Sequence, residues 1–96
     1  MAMNRRRNPP GKLEQEVHFL CSRYRIDPRK EFGQHFVIDE RVMNDLLSAA
    51  QIFPSDHIIE IGPGIGTLTV RILKATPHVT GIETDTRFQP ILEKIH

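Results

Sequence analysis

Three glycines alternate at Gly62, Gly64 and Gly66, two residues after an acid, Glu60, and a second acid, Glu83, follows them. The residues ahead of the glycines, Ile58-Ile59-Glu60-Ile61, are β-branched and apolar enough to form a buried parallel strand. Glycines at the strand's end let a backbone approach a ligand that any Cβ would strike. Glu83 closes a second strand-like run, His78-Val79-Thr80-Gly81-Ile82, about 20 residues past the turn. A carboxylate there can accept both hydroxyls of a ribose and repels a 2′-phosphate. Asp85 lies two positions further on, but Glu83 follows the strand end more closely. The chemistry implied is the holding of a nucleoside cofactor.

Two cofactor classes compete for this turn. A dinucleotide loop wants Gly-x-Gly-x-x-Gly, its third glycine allowing the helix to pack close to the strand. Counted from Gly62, that third position is Thr67. The observed spacing, Glu-x-Gly-x-Gly-x-Gly from Glu60 to Gly66, resembles that of Rossmann-like S-adenosylmethionine-dependent methyltransferases. Such a cofactor has no pyrophosphate to cradle, so its loop needs close backbone approach more than anion-binding N–H groups. Pro63 stiffens the turn by fixing its own φ. Glu83 serves either class, so the turn and the acid together leave NAD and S-adenosylmethionine both open.

The elements that must position these residues are legible from periodicity. Leu13, Val17, Leu20 and Tyr24 recur at helical spacing, and Asp27-Pro28 breaks the pattern. Asp39 is placed to cap a second helix whose apolar face carries Val42, Met43, Leu46, Leu47 and Ala50. Pro54-Ser55-Asp56 leads into the first strand. The helix after the glycine turn should pack Ile65, Leu68, Ile72 and Leu73 on the sheet and stop at Thr76-Pro77. A last helix presents Phe88, Ile91, Leu92 and Ile95, with Pro90 tolerated in its first turn. Residues 1–12 read as a disordered basic tail, with Arg5-Arg6-Arg7 ahead of Pro9-Pro10-Gly11; its prolines and glycine oppose a targeting helix. Residues 13–96 then form a single unit, one β-α-β with helices before and after it.

Upstream of the glycine strand stands Lys30-Glu31-Phe32-Gly33-Gln34-His35-Phe36-Val37-Ile38-Asp39. It closely resembles the K-x-x-G-Q-[NH]-F-[LV]-x-D element of the rRNA adenine N6,N6-dimethyltransferases. The likeness continues through Ile59 to Thr69 and through Gly81 to Arg87. The related erythromycin-resistance methylases usually carry a basic residue inside the glycine loop, where this chain has Ile65. The resemblance implies an α/β, Rossmann-like class I methyltransferase fold of which only the first β-α-β unit and its preceding helices are present, the truncated N-terminal part of a cofactor-binding domain. It implies S-adenosyl-L-methionine as cofactor and a small-subunit rRNA or pre-ribosomal particle as partner. By the same resemblance His35 borders the methionine end, Val37 lies near the cofactor through its backbone, Gly62 and Gly64 pass beneath it, and Glu83 takes the ribose.

The family's Asn-[Leu/Ile]-Pro-[Tyr/Phe] element, which holds the target amine and stacks on the base, does not occur in these 96 residues. Neither does the acid after a third strand that would bind the cofactor's adenine. No catalytic residue is therefore assigned, and the chain alone is expected to be inactive. Two other readings stay open, a non-catalytic RNA-binding or assembly module (or decayed remnant) and the first unit of an NAD-dependent oxidoreductase. Thr67 and the Gln34-His35-Phe36 element weigh against the last.

Composition sets the remaining bounds. The net charge is +1, so electrostatics alone does not mark the chain as a nucleic-acid binder. Arg23, Arg25, Arg29 and Lys30, interleaved with Tyr24 and Phe32, form a local basic cluster that could guide RNA or simply be a solvated face. Nothing approaches the ~18 continuous apolar residues of a membrane span, and no secretory signal is visible. The single Cys21 cannot form an internal disulfide and reads as core filler in a cytoplasmic protein. His18, His57, His78 and His96 show no metal-ligand spacing, and no metal is expected. Serine–histidine and paired-carboxylate catalysis find no support.

Overall fold

A computed structural model describes residues 9–27 and 38–95. In chain order it contains α1 (Lys12–Arg23), α2 (Glu40–Ala50), β1 (Ile58–Ile61), α3 (Thr67–Leu73), β2 (Val79–Ile82), a 3-10 turn (Thr86–Phe88) and α4 (Gln89–Glu93). The strands pair in parallel, with Ile58 opposite Val79 and Ile61 opposite Ile82. A parallel pair needs a crossover between its strands, and α3 supplies it.

Helix α1 buries Leu13 and Val17 of the expected stripe, and Cys21, against Ile26, Met43, Ile65, Phe88 and Ile91, while Leu20 and Tyr24 of that stripe are only partly buried. Phe88 and Leu13 are fully enclosed. The core thus lies between α1, the residue in the middle of the glycine turn and the last helical segment, so the turn is packed from behind. Arg71 of α3 reinforces this contact by donating to Glu16 of α1 at 2.9 Å. Cys21 is buried, as core filler should be.

The end of α1 is closed by paired bonds, Ile26 N–H to the Cys21 carbonyl at 2.7 Å and Arg25 N–H to that of Ser22 at 3.3 Å. This geometry puts Arg25 in the left-handed region at φ 58°, where glycine is the usual occupant. Relieving the Cβ contact there outweighs the extra entropy glycine gives the unfolded chain. Arg25→Gly should therefore stabilise the chain by about 0.5–1 kcal/mol and raise its thermal midpoint by several degrees, which a thermal melt followed by circular dichroism would show.

Asp39 caps α2 as its position indicated, its Oδ1 accepting the Arg41 N–H at 2.9 Å. Three expectations need correction. The apolar face of α2 is mostly uncovered, with Met43 buried, Leu47 packed in part, and Val42 and Leu46 exposed. Strand β1 is not buried on both faces, since Ile59 and Ile61 face outward and only Glu60 is enclosed. Helix α3 stops at Leu73, before Thr76-Pro77. There the Thr76 hydroxyl turns to the carbonyls of Asp56 (2.7 Å) and Pro54 (3.1 Å) and accepts the His78 N–H, pinning the return to β2 against the loop before β1.

Candidate functional site

The glycine turn leaves the sheet without breaking its ladder, because Gly62 N–H still donates to the Ile82 carbonyl at 2.8 Å. All three alternating glycines then take positive φ: 70° at Gly62, 57° at Gly64 and 83° at Gly66. The chain turns back on itself, Gly66 N–H bonding the Pro63 carbonyl at 2.9 Å, and α3 begins at once with Val70 N–H on the Gly66 carbonyl. The sequence alternates glycine because the backbone alternates into a region that L side chains avoid. Nothing lies within 4 Å of where a Cβ on Gly62 would sit, so a ligand can approach that backbone. Pro63 packs beneath, its Cγ 3.2 Å from the Cβ position of Gly81, and thereby spaces the turn from β2.

Glu83 is drawn onto this turn. Its Oε1 accepts the Gly64 N–H at 2.8 Å and its Oε2 accepts the Asp85 N–H at 2.9 Å. One carboxylate therefore ties the glycine turn to the loop after β2. An ionised carboxylate has about four lone-pair sites; with two occupied by backbone, two stay available for hydroxyl donors. Asp85 is differently engaged. It caps the 3-10 turn through the Arg87 N–H and takes the Arg87 guanidinium, which holds its carboxyl below the usual range. Of the two acids, Glu83 alone is bonded to the turn. Both acids border a recess of about 240 Å³, together with Gly81, Gln89, Leu92 and Glu93.

Glu60 is the acid that sequence reasoning left without a site. Its side chain points toward α3, is 9% exposed, and accepts the Thr69 hydroxyl at 2.6 Å. The bond spans β1 and the first turn of α3, bracing the glycine turn from its covered side. The signal was present as an acid two residues before the first glycine and a hydroxyl nine residues after it. Burial raises the Glu60 carboxyl above its ordinary 4.5; the Thr69 bond opposes this and the nearby Glu83 charge adds to it.

A carboxyl whose folded pKa exceeds its unfolded value binds its proton more tightly in the folded chain. Its contribution to stability is complete below about 4.5 and is lost as pH rises through the higher folded pKa. Glu60→Gln, which keeps an acceptor for Thr69, should flatten that part of the stability–pH profile and leave the variant more stable at neutral pH. Urea melts at half-unit steps from pH 4 to 7 would test this, an unchanged slope counting against it.

Of the positions singled out from sequence, Gly62, Gly64 and Glu83 converge on one turn. His35 and Val37 lie outside the described residues, as do Arg29, Lys30 and Phe32 of the basic cluster. Arg23 rests over the Tyr24 ring at 5.9 Å. Among the described residues no group of three or more His, Cys, Asp or Glu is placed to hold a metal, and no helix is long and apolar enough to cross a membrane.

Comparison with known proteins places this arrangement. The chain is 44% identical over 73 residues to the ribosomal RNA small subunit methyltransferase A of Clostridium perfringens strain SM101, covering 76% of this chain and 26% of that protein. The Thermobifida fusca protein of the same name is 40% identical over 77 residues, 80% of this chain and 27% of its own. That of Corynebacterium glutamicum strain R is 36% identical over 72 residues, 75% and 25%. The chain thus spans about a quarter of the length of these relatives. Among solved structures, a dimethyladenosine transferase from Plasmodium falciparum superposes with a TM-score of 0.59 at 33% identity, over 62% of this chain and 22% of that one. The α/β unit is accordingly Rossmann-like, as its motifs implied. The model of the ribosomal RNA adenine dimethylase family matches residues 26–96. The chain belongs to the ribosomal RNA adenine dimethylase family, whose chemistry calls for a methyl donor and an RNA substrate.

Proposed function

We propose that this chain forms the first cofactor-binding wall of an S-adenosyl-L-methionine-dependent rRNA adenine N6,N6-dimethyltransferase of the cytoplasm, acting on small-subunit rRNA or a pre-ribosomal particle. The observation that carries this reading is Glu83, bonded through one oxygen to the Gly64 N–H and still able to accept from both hydroxyls of a ribose. Glu83 serves either cofactor class; the glycine spacing, with Thr67 at the third dinucleotide position, and the family relationship are what support the sulfonium cofactor. The family relationship extends the reading to His35 and Val37, which would border the methionine end, while Gly62 and Gly64 run beneath the nucleoside. Residues 13–96 act here as one unit that binds and orients, and none of them is given a catalytic role.

Two-dimensional amide spectra of the chain, recorded during titration, test the assignment. S-adenosylmethionine should shift the signals of Gly62, Gly64 and Glu83 with weak affinity, and NAD at the same concentration should leave them in place. Preferential response to NAD would overturn the cofactor. The chain alone should transfer no methyl group to small-subunit rRNA; turnover by the purified chain would show that the missing adenine-holding element is dispensable.

A further inference from the structure

Each strand is preceded by a histidine, and the two lie far apart in the chain. Ile58 faces Val79 across the parallel ladder, so the residues just ahead of them, His57 and His78, are cross-strand neighbours. The Ile58 N–H donates to the His78 carbonyl at 2.8 Å. Both side chains are exposed, and their ring centroids stand 6.5 Å apart with the planes tilted by 49°. His57 Nε2 is hydrogen-bonded to the Thr80 hydroxyl at 2.9 Å, which orients that ring. Among the described residues nothing bonds the His78 ring. Spacing along the sequence gives no metal pattern here, because only the register brings the two rings together.

We propose that His57 and His78 form a binding site for one transition-metal ion of the class that prefers imidazole nitrogen, Cu²⁺, Ni²⁺ or Zn²⁺. An imidazole nitrogen sits about 2.0–2.1 Å from such an ion, so two rings on one tetrahedral ion have centroids about 5 Å apart. The observed 6.5 Å closes to that distance when the unbonded His78 ring rotates toward the oriented one. Metal-bound histidines ordinarily give their second ring nitrogen to an oxygen, which fixes the tautomer. Thr80 is already in that place. With Nε2–H donating to its hydroxyl, Nδ1 of His57 carries the lone pair for the ion. Asp56, next to His57, is turned into its own loop, where it accepts the Phe53 N–H at 2.8 Å. The protein thus supplies two ligands, and water fills the remaining positions. Bound there, the ion clips the start of β1 to the start of β2. That is the end of the sheet opposite the glycine turn, so the site stands independently of the cofactor reading.

The full 96-residue chain, free of any affinity tag and near neutral pH, tests this with the chloride salts of the ions as probes. Substoichiometric Cu²⁺ should broaden the amide signals of His57, Ile58, His78 and Val79 first. Mg²⁺, which prefers oxygen, should leave them in place. Zn²⁺ should raise the thermal midpoint, since it binds the paired strands and not the separated ones. His78→Gln should weaken Zn²⁺ binding by about 100-fold, because two linked ligands become one. Thr80→Val should weaken it by about 10-fold, because the His57 ring loses its orienting partner. His18→Gln, on α1, should bind like the parent. All three side chains are exposed, so the variants should melt like the parent without metal. Broadening centred on another histidine, a His78→Gln affinity equal to the parent's, or a Zn²⁺ melt no higher than the metal-free one would each overturn the proposal. Thr80→Val binding as the parent does would overturn the assignment of Nδ1 as the ligand.

Discussion

Gly66→Ala is expected to cost the chain about 2 kcal/mol of stability, and to do so at the hinge between the glycine turn and α3. Gly66 sits at φ 83°, and an L residue held in that region pays about 1–2 kcal/mol for its Cβ. The new methyl would also run into Cδ1 of Ile95 and crowd Cδ2 of Leu92 at 3.3 Å. Ile95 can rotate its terminal methyl away, so the steric part is the smaller one. A double-mutant cycle with Ile95→Ala separates the two contributions. Crowding should disappear from the cycle while the backbone cost persists in Gly66→Ala/Ile95→Ala. A loss below about 0.5 kcal/mol in urea melts, against the backbone cost expected, would mean that the turn relaxes and that its αL geometry is not required.

Gly66 also shows which parts of this fold were readable from residues. The alternation of glycines announced a turn that needs positive φ, and all three glycines have it. Leu13, Val17, Leu20 and Tyr24 announced α1, and Asp39 announced the start of α2, because spacing and capping are local properties. What was misread was cover. The apolar stripes of α2 and β1 predicted burial, yet Val42, Leu46, Ile59 and Ile61 are exposed. Apolar periodicity records that a face belongs against something; it carries no information on whether that something lies in the same polypeptide. The early stop of α3 was hidden for a different reason. The Thr76 N–H keeps a helical bond to the Ile72 carbonyl, while its hydroxyl holds two carbonyls of the loop before β1, at separations of 20 and 22 residues, and a local window cannot see such a bond.

The site divides along the same line. Gly62, Gly64 and Glu83 were legible because a nucleoside site of this topology spaces them along the chain. Their actual junction, the Gly64 N–H on the Glu83 carboxylate, is a tertiary contact that spacing only suggested. The Glu60–Thr69 bond was illegible in its consequence. Period two places Glu60 on one face of β1, but only the packing of α3 reveals that this face is the buried one.

Glu83→Gln is expected to remove the response of the turn to S-adenosylmethionine altogether, a loss of about 100-fold in affinity. The glutamine keeps the shape and one acceptor oxygen. Its amide nitrogen cannot accept, so either Gly64 N–H or Asp85 N–H must face another donor. An unsatisfied N–H costs about 1–3 kcal/mol, and loss of a charged acceptor for the ribose hydroxyls adds about 1.5–3 kcal/mol. The first cost is borne with and without cofactor and lowers stability; the second sets the affinity and corresponds to about 10- to 150-fold, which brackets the expected loss. The Gly64 amide proton should move upfield before any cofactor is added, which separates damage to the turn from loss of the ligand's own bonds. Asp85→Ala is the discriminating control, because Asp85 engages Arg87 and not the glycine turn. If Asp85→Ala abolished the cofactor response while Glu83→Gln preserved it, the ribose acceptor would be Asp85. The Gly64–Glu83 bond would then be a brace for the turn, much as Glu60 and Thr69 brace it from the other side.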